Sequence, residues 1–124
     1  LRSLFKHMQA LGNPDLQWVA YSGLETADAV IVAGACNLYA LFIAKPTTSA
    51  TNAWLKGSDH ATVASADPDL AVKLLTTVGA KQFCLVFHDG LPFGTGLTLG
   101  SHTTNNGNTK SAAADAPTGF AIVG

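Results

Sequence analysis

The stretch that most constrains this chain is GACNLYALFIAK, from Gly34 to Lys45. Successive side chains of a strand point to opposite faces. Cys36, Leu38, Ala40, Phe42 and Ala44 form one apolar face, and Tyr39, Leu41 and Ile43 make the other face apolar too. A strand of this kind has to be covered on both sides, which places it at the centre of an all-β domain. One cover is the domain's own core. The other has to be a second layer, an extended arm or another subunit. The longer run AVIVAGACNLYALFIA, Ala29 to Ala44, does not read as a membrane span. It falls short of the roughly 20 residues a bilayer needs, carries Gly34 and Asn37 at its middle and is rich in strand formers, so it reads as two strands joined at Gly34.

Before this strand, Leu1, Leu4, Phe5, Met8 and Leu11 recur at helical spacing, and Gly12, Asn13 and Pro14 end the pattern. A short amphipathic helix or arm is expected over residues 1–14, followed by the β domain over 15–124. An isolated helix of that length is marginal in water, so its stripe must pack either on its own sandwich or on a neighbour. Asp15–Tyr21 reads as a strand, and ADAVIVAG as the one before the central strand. After Pro46 and TTSATN, NAWLKG is expected to return as the second strand of a hairpin, with Trp54 and Leu55 on opposite faces. DLAVKLLTTV fits a helical turn or a strand, with strand favoured for its second half. KQFCLVFHDG alternates cleanly and then turns at HDG. LPFGTGLTLGSH, with glycines at 94, 96 and 100, reads as an edge or bulged strand. A polar run, TTNNGNTKSAAADAPT, precedes the closing strand GFAIVG. Six to eight short strands at such intervals predict an antiparallel β-sandwich, jelly-roll-like, with a short N-terminal helix or arm.

Candidate chemistry is thin. His60 beside Asp59 and His88 beside Asp89 lack a second ligand at metal-site spacing and read as surface turn residues, and His102 falls at the margin of a polar loop. No serine has a nucleophile-elbow context, and FGTGLTLG lacks what a phosphate loop requires, so its glycines read as β geometry. Cys36 and Cys84 are too few for a zinc motif and read as small apolar residues, with a bridge between neighbouring strands as the alternative. Trp18, Tyr39 and Trp54 are candidates for a sugar-stacking platform, although aromatics at alternating strand positions more often pack in a core. The reading is therefore of no catalytic residues, no metal and no cofactor. With 7 basic and 8 acidic residues the net charge is −1, which offers no basic patch for nucleic acid. Charged residues are 12% of the chain against 48% hydrophobic. So little charge predicts that much of the surface is buried in an assembly.

Two stretches carry a family resemblance. FHDGLPFGTGLTLGSHTTNNGNTKSAAADAPTGFAIVG resembles a segment of small β-sandwich proteins from tailed bacteriophage particles, in which a G-x-x-F-x-x-G-L turn and strand lead into a Thr- and Gly-rich loop and a short closing strand. Gly90, Phe93, Gly96 and Leu97 stand at those positions. Upstream, Gly34, Leu38, Tyr39 and Trp54 are similar to the same proteins' G-x-x-x-L-Y strand and aromatic return strand. The resemblance implies a virion component, foremost a head decoration (cement) protein on the capsid surface, assembled in the host cytoplasm, with the major capsid protein as its partner. A tail or fibre component, or a stand-alone carbohydrate-binding sandwich, is the alternative. A symmetric homo-oligomer, trimer favoured, is expected from the low charge and two-faced strand, with no nucleic acid or membrane partner. Leu4, Phe5, Met8 and Tyr39 are its interface candidates.

Overall fold

The computed structural model describes residues 2–3, 6, 15–46, 53–62, 68–74 and 81–124. Eight strands lie among them: β1 (Gln17–Tyr21), β2 (Ala29–Val32), β3 (Cys36–Lys45), β4 (Ala53–Asp59), β5 (Leu70–Leu74), β6 (Lys81–Phe93), β7 (Leu97–His102) and β8 (Thr118–Val123). They form two four-stranded sheets, one in the order β1-β8-β3-β6 and the other β2-β7-β4-β5. Every pairing is antiparallel. Apart from β4 and β5, consecutive strands alternate between the sheets, which is the winding of an eight-stranded jelly roll. The domain is thus an all-β antiparallel sandwich, as the sequence predicts.

Apolar side chains from the facing surfaces meet between the sheets. Tyr21, Leu38, Leu41, Ile43, Ala121 and Val123 of the first sheet pack with Leu55, Leu74, Leu97 and Leu99 of the second, all buried. Leu24 and Ala116 close the layer from the loops. The hydroxyl of Tyr21 donates to the Phe42 carbonyl at 2.8 Å, so the one polar group this ring takes inward is satisfied.

The central strand is where predicted, but its faces are divided differently. Leu38 pairs with Val123 and the next pair is Ala40 with Ile122, so Tyr39 is an extra residue in a β-bulge. A bulge shifts the side-chain period by one. Beyond it Leu41 and Ile43 join Leu38 inside, whereas Ala40 and Phe42 turn to the outer surface with Tyr39. The same irregularity runs into β6. The pair Leu38 with Leu91 is followed by Ala40 with Val86, which leaves residues 87–90 opposite Tyr39 alone. HDG is therefore a bulge within a thirteen-residue strand and not the turn the sequence suggests. Gly90 holds φ at +80°, and a Cβ there would lie 3.0 Å from the Tyr39 ring, so the position needs glycine twice over.

Four other expectations change. β4 does not pair with β3; both sides of β3 are taken by β6 and β8, and β4 lies in the opposite sheet. The glycine-rich strand is no edge. β7 sits between β2 and β4 and is buried along its whole length. In DLAVKLLTTV the strand occupies Leu70–Leu74, the first half, and the second half lies outside the described residues. The expected N-terminal helix is not supported as an element: of residues 1–14 only Arg2, Ser3 and Lys6 are described, exposed and with helical backbone, and the rest of that expectation lies outside the described residues.

The bulge makes a sharp stability forecast. Leu41→Ala removes a fully buried side chain and is expected to cost about 2 to 5 kcal/mol in urea unfolding. Phe42→Ala, at a half-buried outer position, is expected to cost less despite the larger side chain. The reverse order would restore the unbulged division of faces.

Candidate interaction surface

The outer surface of the first sheet carries a second apolar cluster, which a two-layer sandwich does not require. Leu16, Ala40, Phe120 and Ile122 are buried there, with Trp18, Tyr39 and Phe42 packed against them. Cross-strand register brings the aromatics together, since Phe42 is opposite Phe120 and Trp18 is opposite Ile122. The Phe42 and Phe120 rings stack at 4.2 Å, and Trp18 tilts against Phe120 at 4.8 Å. The Arg2 guanidinium lies 3.9 Å above the Trp18 ring, a cation–π contact that sets the start of the chain against its own sheet. Among the described residues the buried Trp18 Nε1–H has no acceptor. Leaving such a donor unpaired costs about 1 to 3 kcal/mol.

Toward β6 this surface opens. A pocket of about 220 Å³ lies between Phe42, Ala44, Gln82, Phe83 and Phe120. Beyond it Val86 is 69% exposed. Of the expected interface residues, Tyr39 is half-buried on this outer cluster, with its ring against Gly90. Leu4, Phe5 and Met8 lie outside the described residues. The sugar platform does not assemble. Trp18 and Tyr39 belong to the outer cluster of the first sheet, while Trp54 stands on β4 in the second sheet beside Lys73.

The polar groups have been used by the fold itself. The Asp59 carboxylate accepts the backbone N–H groups of Gly94, Thr95 and Gly96 at 3.0, 2.7 and 3.2 Å. The Gly-Thr-Gly turn is thus an anion cradle, but the anion it holds is the chain's own. A Cβ at Gly96 would come within 2.8 Å of the Val32 carbonyl oxygen, the close backbone approach that the sequence assigns to these glycines. The hydrogen bond from Thr95, reinforced by those from Gly96 and Gly94, holds the Asp59 carboxyl below its ordinary pKa, although burial opposes it more than either glycine alone assists. His60 is an exposed turn residue as expected, and its Nδ1 accepts the Thr62 N–H at 3.1 Å. His88 is exposed in the β6 bulge.

His102 departs from its expected place at a loop margin. It ends β7 and is 2% exposed, with no partner for Nδ1 among the described residues. Close by, Lys56 is fully buried, and its ammonium donates to the Gly107 carbonyl at 2.6 Å. The polar segment after β7 folds back over these residues. Thr103 N–H donates to the Thr109 carbonyl, Ser111 N–H to the Ser101 carbonyl, and Lys110 pairs with Asp28 at 2.5 Å. Burial, and then the Lys56 charge, lower the His102 pKa, with Asp28 opposing. Burial likewise lowers that of Lys56. The alternation in LTLGSH, which turns Thr98 and His102 to the same face, was the one sequence signal for a packed His102.

Both cysteines are free. Cys36 is half-buried and Cys84 exposed, which removes the bridge and leaves only Cys36 as a packed apolar residue. Among the described residues no three His, Cys, Asp or Glu side chains group as a metal site, and no helix is long and apolar enough to cross a membrane. Comparison with protein-family models, curated proteins and solved structures finds no match for the chain.

The Asp59 cradle fixes a pH dependence. A carboxyl whose pKa is depressed by folding contributes stability that is complete above its unfolded value, near 3.8, and is lost as pH falls through the folded value. Asp59→Asn is expected to melt below wild type at neutral pH, with the gap closing in acid. A gap that stays constant from pH 7 to pH 2 would mean the carboxylate charge is not what the three N–H groups hold.

Proposed function

We propose that this chain is a structural virion protein, a head decoration (cement) protein that binds the outside of a bacteriophage capsid and stabilises it, without catalysis. The observation that carries the reading is the outer face of the first sheet. A jelly roll needs one apolar layer, and this chain adds a second, with stacked aromatics and an open apolar pocket. An apolar surface opening onto solvent in a chain with only 12% charged residues marks a docking site. The jelly roll is also an architecture of viral capsid domains, and of lectins, so the fold alone does not choose. The scattered aromatics weigh against the carbohydrate alternative. The phage-like patterns at Gly34, Leu38 and Tyr39 and at Gly90, Phe93, Gly96 and Leu97 weigh for the particle.

On this reading the major capsid protein is the partner, and the pocket beside Phe42 and Phe120 receives one of its apolar side chains. The location is the capsid surface, after assembly in the host cytoplasm. Arg2 on Trp18 supports an arm lying over its own sheet more than one reaching to a neighbour.

The test is co-sedimentation of the purified chain with capsids that lack it, alongside tails from the same particles. Saturable binding to capsids and a higher capsid melting temperature are expected. Ala44→Asp, which places a charge at the pocket wall, is expected to weaken binding at least tenfold while the isolated chain melts within a few degrees of wild type. Binding to tails alone would move the protein to the tail. Binding to neither, with saturable binding to a glycan, would end the virion reading.

A further inference from the structure

A β-sandwich has to manage the edges of its sheets, because each presents unpaired N–H and C=O groups to any passing strand. Three of the four edges here are blunted. β1 and β5 have five residues each, and β5 turns Lys73 outward; β2 has four, with a bulge between Val30 and Val32. β6 carries a bulge at residues 87–90 with Asp89 and Pro92, but none of this protection before it. It is thirteen residues long, and its segment Gln82–Phe87 holds no charge, proline or glycine. Among the described residues its one strand partner is β3. Gln82, Phe83, Cys84 and Val86 are all exposed.

We propose that β6 pairs antiparallel with β6 of a second copy of this chain, about a two-fold axis at Cys84 or Leu85, joining the first sheets of the two copies into one of eight strands. The sequence of the edge favours a copy over a different partner. With no charge between Gln82 and Phe87, identical strands meet without like-charge repulsion, and a partner selected by charge has nothing to read. An antiparallel two-fold pairing brings residues of the same face together. Gln82, Cys84 and Val86 share the outer face with Phe42 and Phe120, and Phe83, Leu85 and Phe87 share the inner. An axis at Cys84 sets Phe83 against Leu85, and one at Leu85 sets Val86 against Cys84, so apolar side chains meet either way.

Closure follows from the same geometry. The bulge at residues 87–90, with His88, Asp89 and the positive φ of Gly90, ends the straight run. Each copy has one such edge, so pairing stops at a dimer and does not grow into a fibre. The axis runs perpendicular to the joined sheet, so both outer apolar faces point the same way and form one double-width surface. This inference does not depend on the capsid reading, and it replaces the expected trimer with a dimer.

The experiment is light scattering with amide hydrogen exchange, under reducing conditions so that the exposed Cys84 thiols cannot cross-link. Wild type is expected at about twice the 12.8 kDa chain mass, with slowed exchange at residues 82–87. The double variant Cys84→Lys, Val86→Lys is expected at the single-chain mass, with fast exchange there and unchanged protection in β3 and β8. Should the double variant melt early, Val86→Lys alone, at a site that is 69% exposed, carries the test. A monomeric or trimeric wild type overturns the proposal. So does a dimer that survives the lysines, or one whose residues 82–87 exchange as fast in wild type as in the variant. Ala44→Asp leaves the dimer intact, which separates this outcome from the failure of capsid docking.

Discussion

One extra residue in the central strand governs the arrangement of this molecule. Where Tyr39 is inserted between the Leu38–Val123 and Ala40–Ile122 pairs, the side-chain period slips, and β3 changes which of its apolar faces it gives to the core. Without the slip, Ala40, Phe42 and Ala44 would line the core and Leu41 and Ile43 would face outward. The slip gives the branched residues to the interior and stacks Phe42 on Phe120 outside. β6 accommodates it by bulging at residues 87–90, and Gly90 is required there because the Tyr39 ring occupies the space a side chain would take.

Consequences spread outward from this point. The outer face of the first sheet becomes aromatic, and β6 becomes a long edge whose straight part ends at the bulge. The proposed docking face and the proposed dimer edge therefore share one structural cause. They occupy different surfaces, a face and an edge, and can both be used in one particle. The second sheet follows the opposite course. Its outer face holds Lys56 and His102, and the Thr- and Asn-rich segment folds back to satisfy the lysine through the Gly107 carbonyl. A buried ammonium left unpaired would be strongly destabilising, so that loop is part of the fold and not a loose connection.

The polar residues that invite a functional reading in the sequence are mostly structural here. Asp59 fills the Gly-Thr-Gly cradle, His60 closes a turn, and Lys110 ties the long loop to Asp28. Among the described residues the surfaces proposed for partners are apolar: a pocket, an edge and a stacked aromatic face. That distribution suits a protein whose work is association.

The sequence by itself determined the class of the fold. Alternating apolar residues in CNLYALFIAK and KQFCLVF, punctuated by glycine, proline and short polar runs, leave little but an antiparallel sandwich, and local periodicity is enough to read that. It also determined that the central strand needs cover on both faces, because no residue on either side of it is polar between Leu38 and Ala44. Only the tertiary structure decided which face meets which layer. A bulge has no local signature in LYALF; it is set by pairing with β6 and β8, whose partners to Leu38 and Ala40 lie 46 to 85 residues further along the chain. The same holds for β4, which follows β3 in sequence yet joins the other sheet because both sides of β3 are already paired. It holds too for Lys56 and His102, whose burial depends on a loop that closes over them from beyond β7. Periodicity reports which residues want shelter, and long-range pairing decides what shelters them.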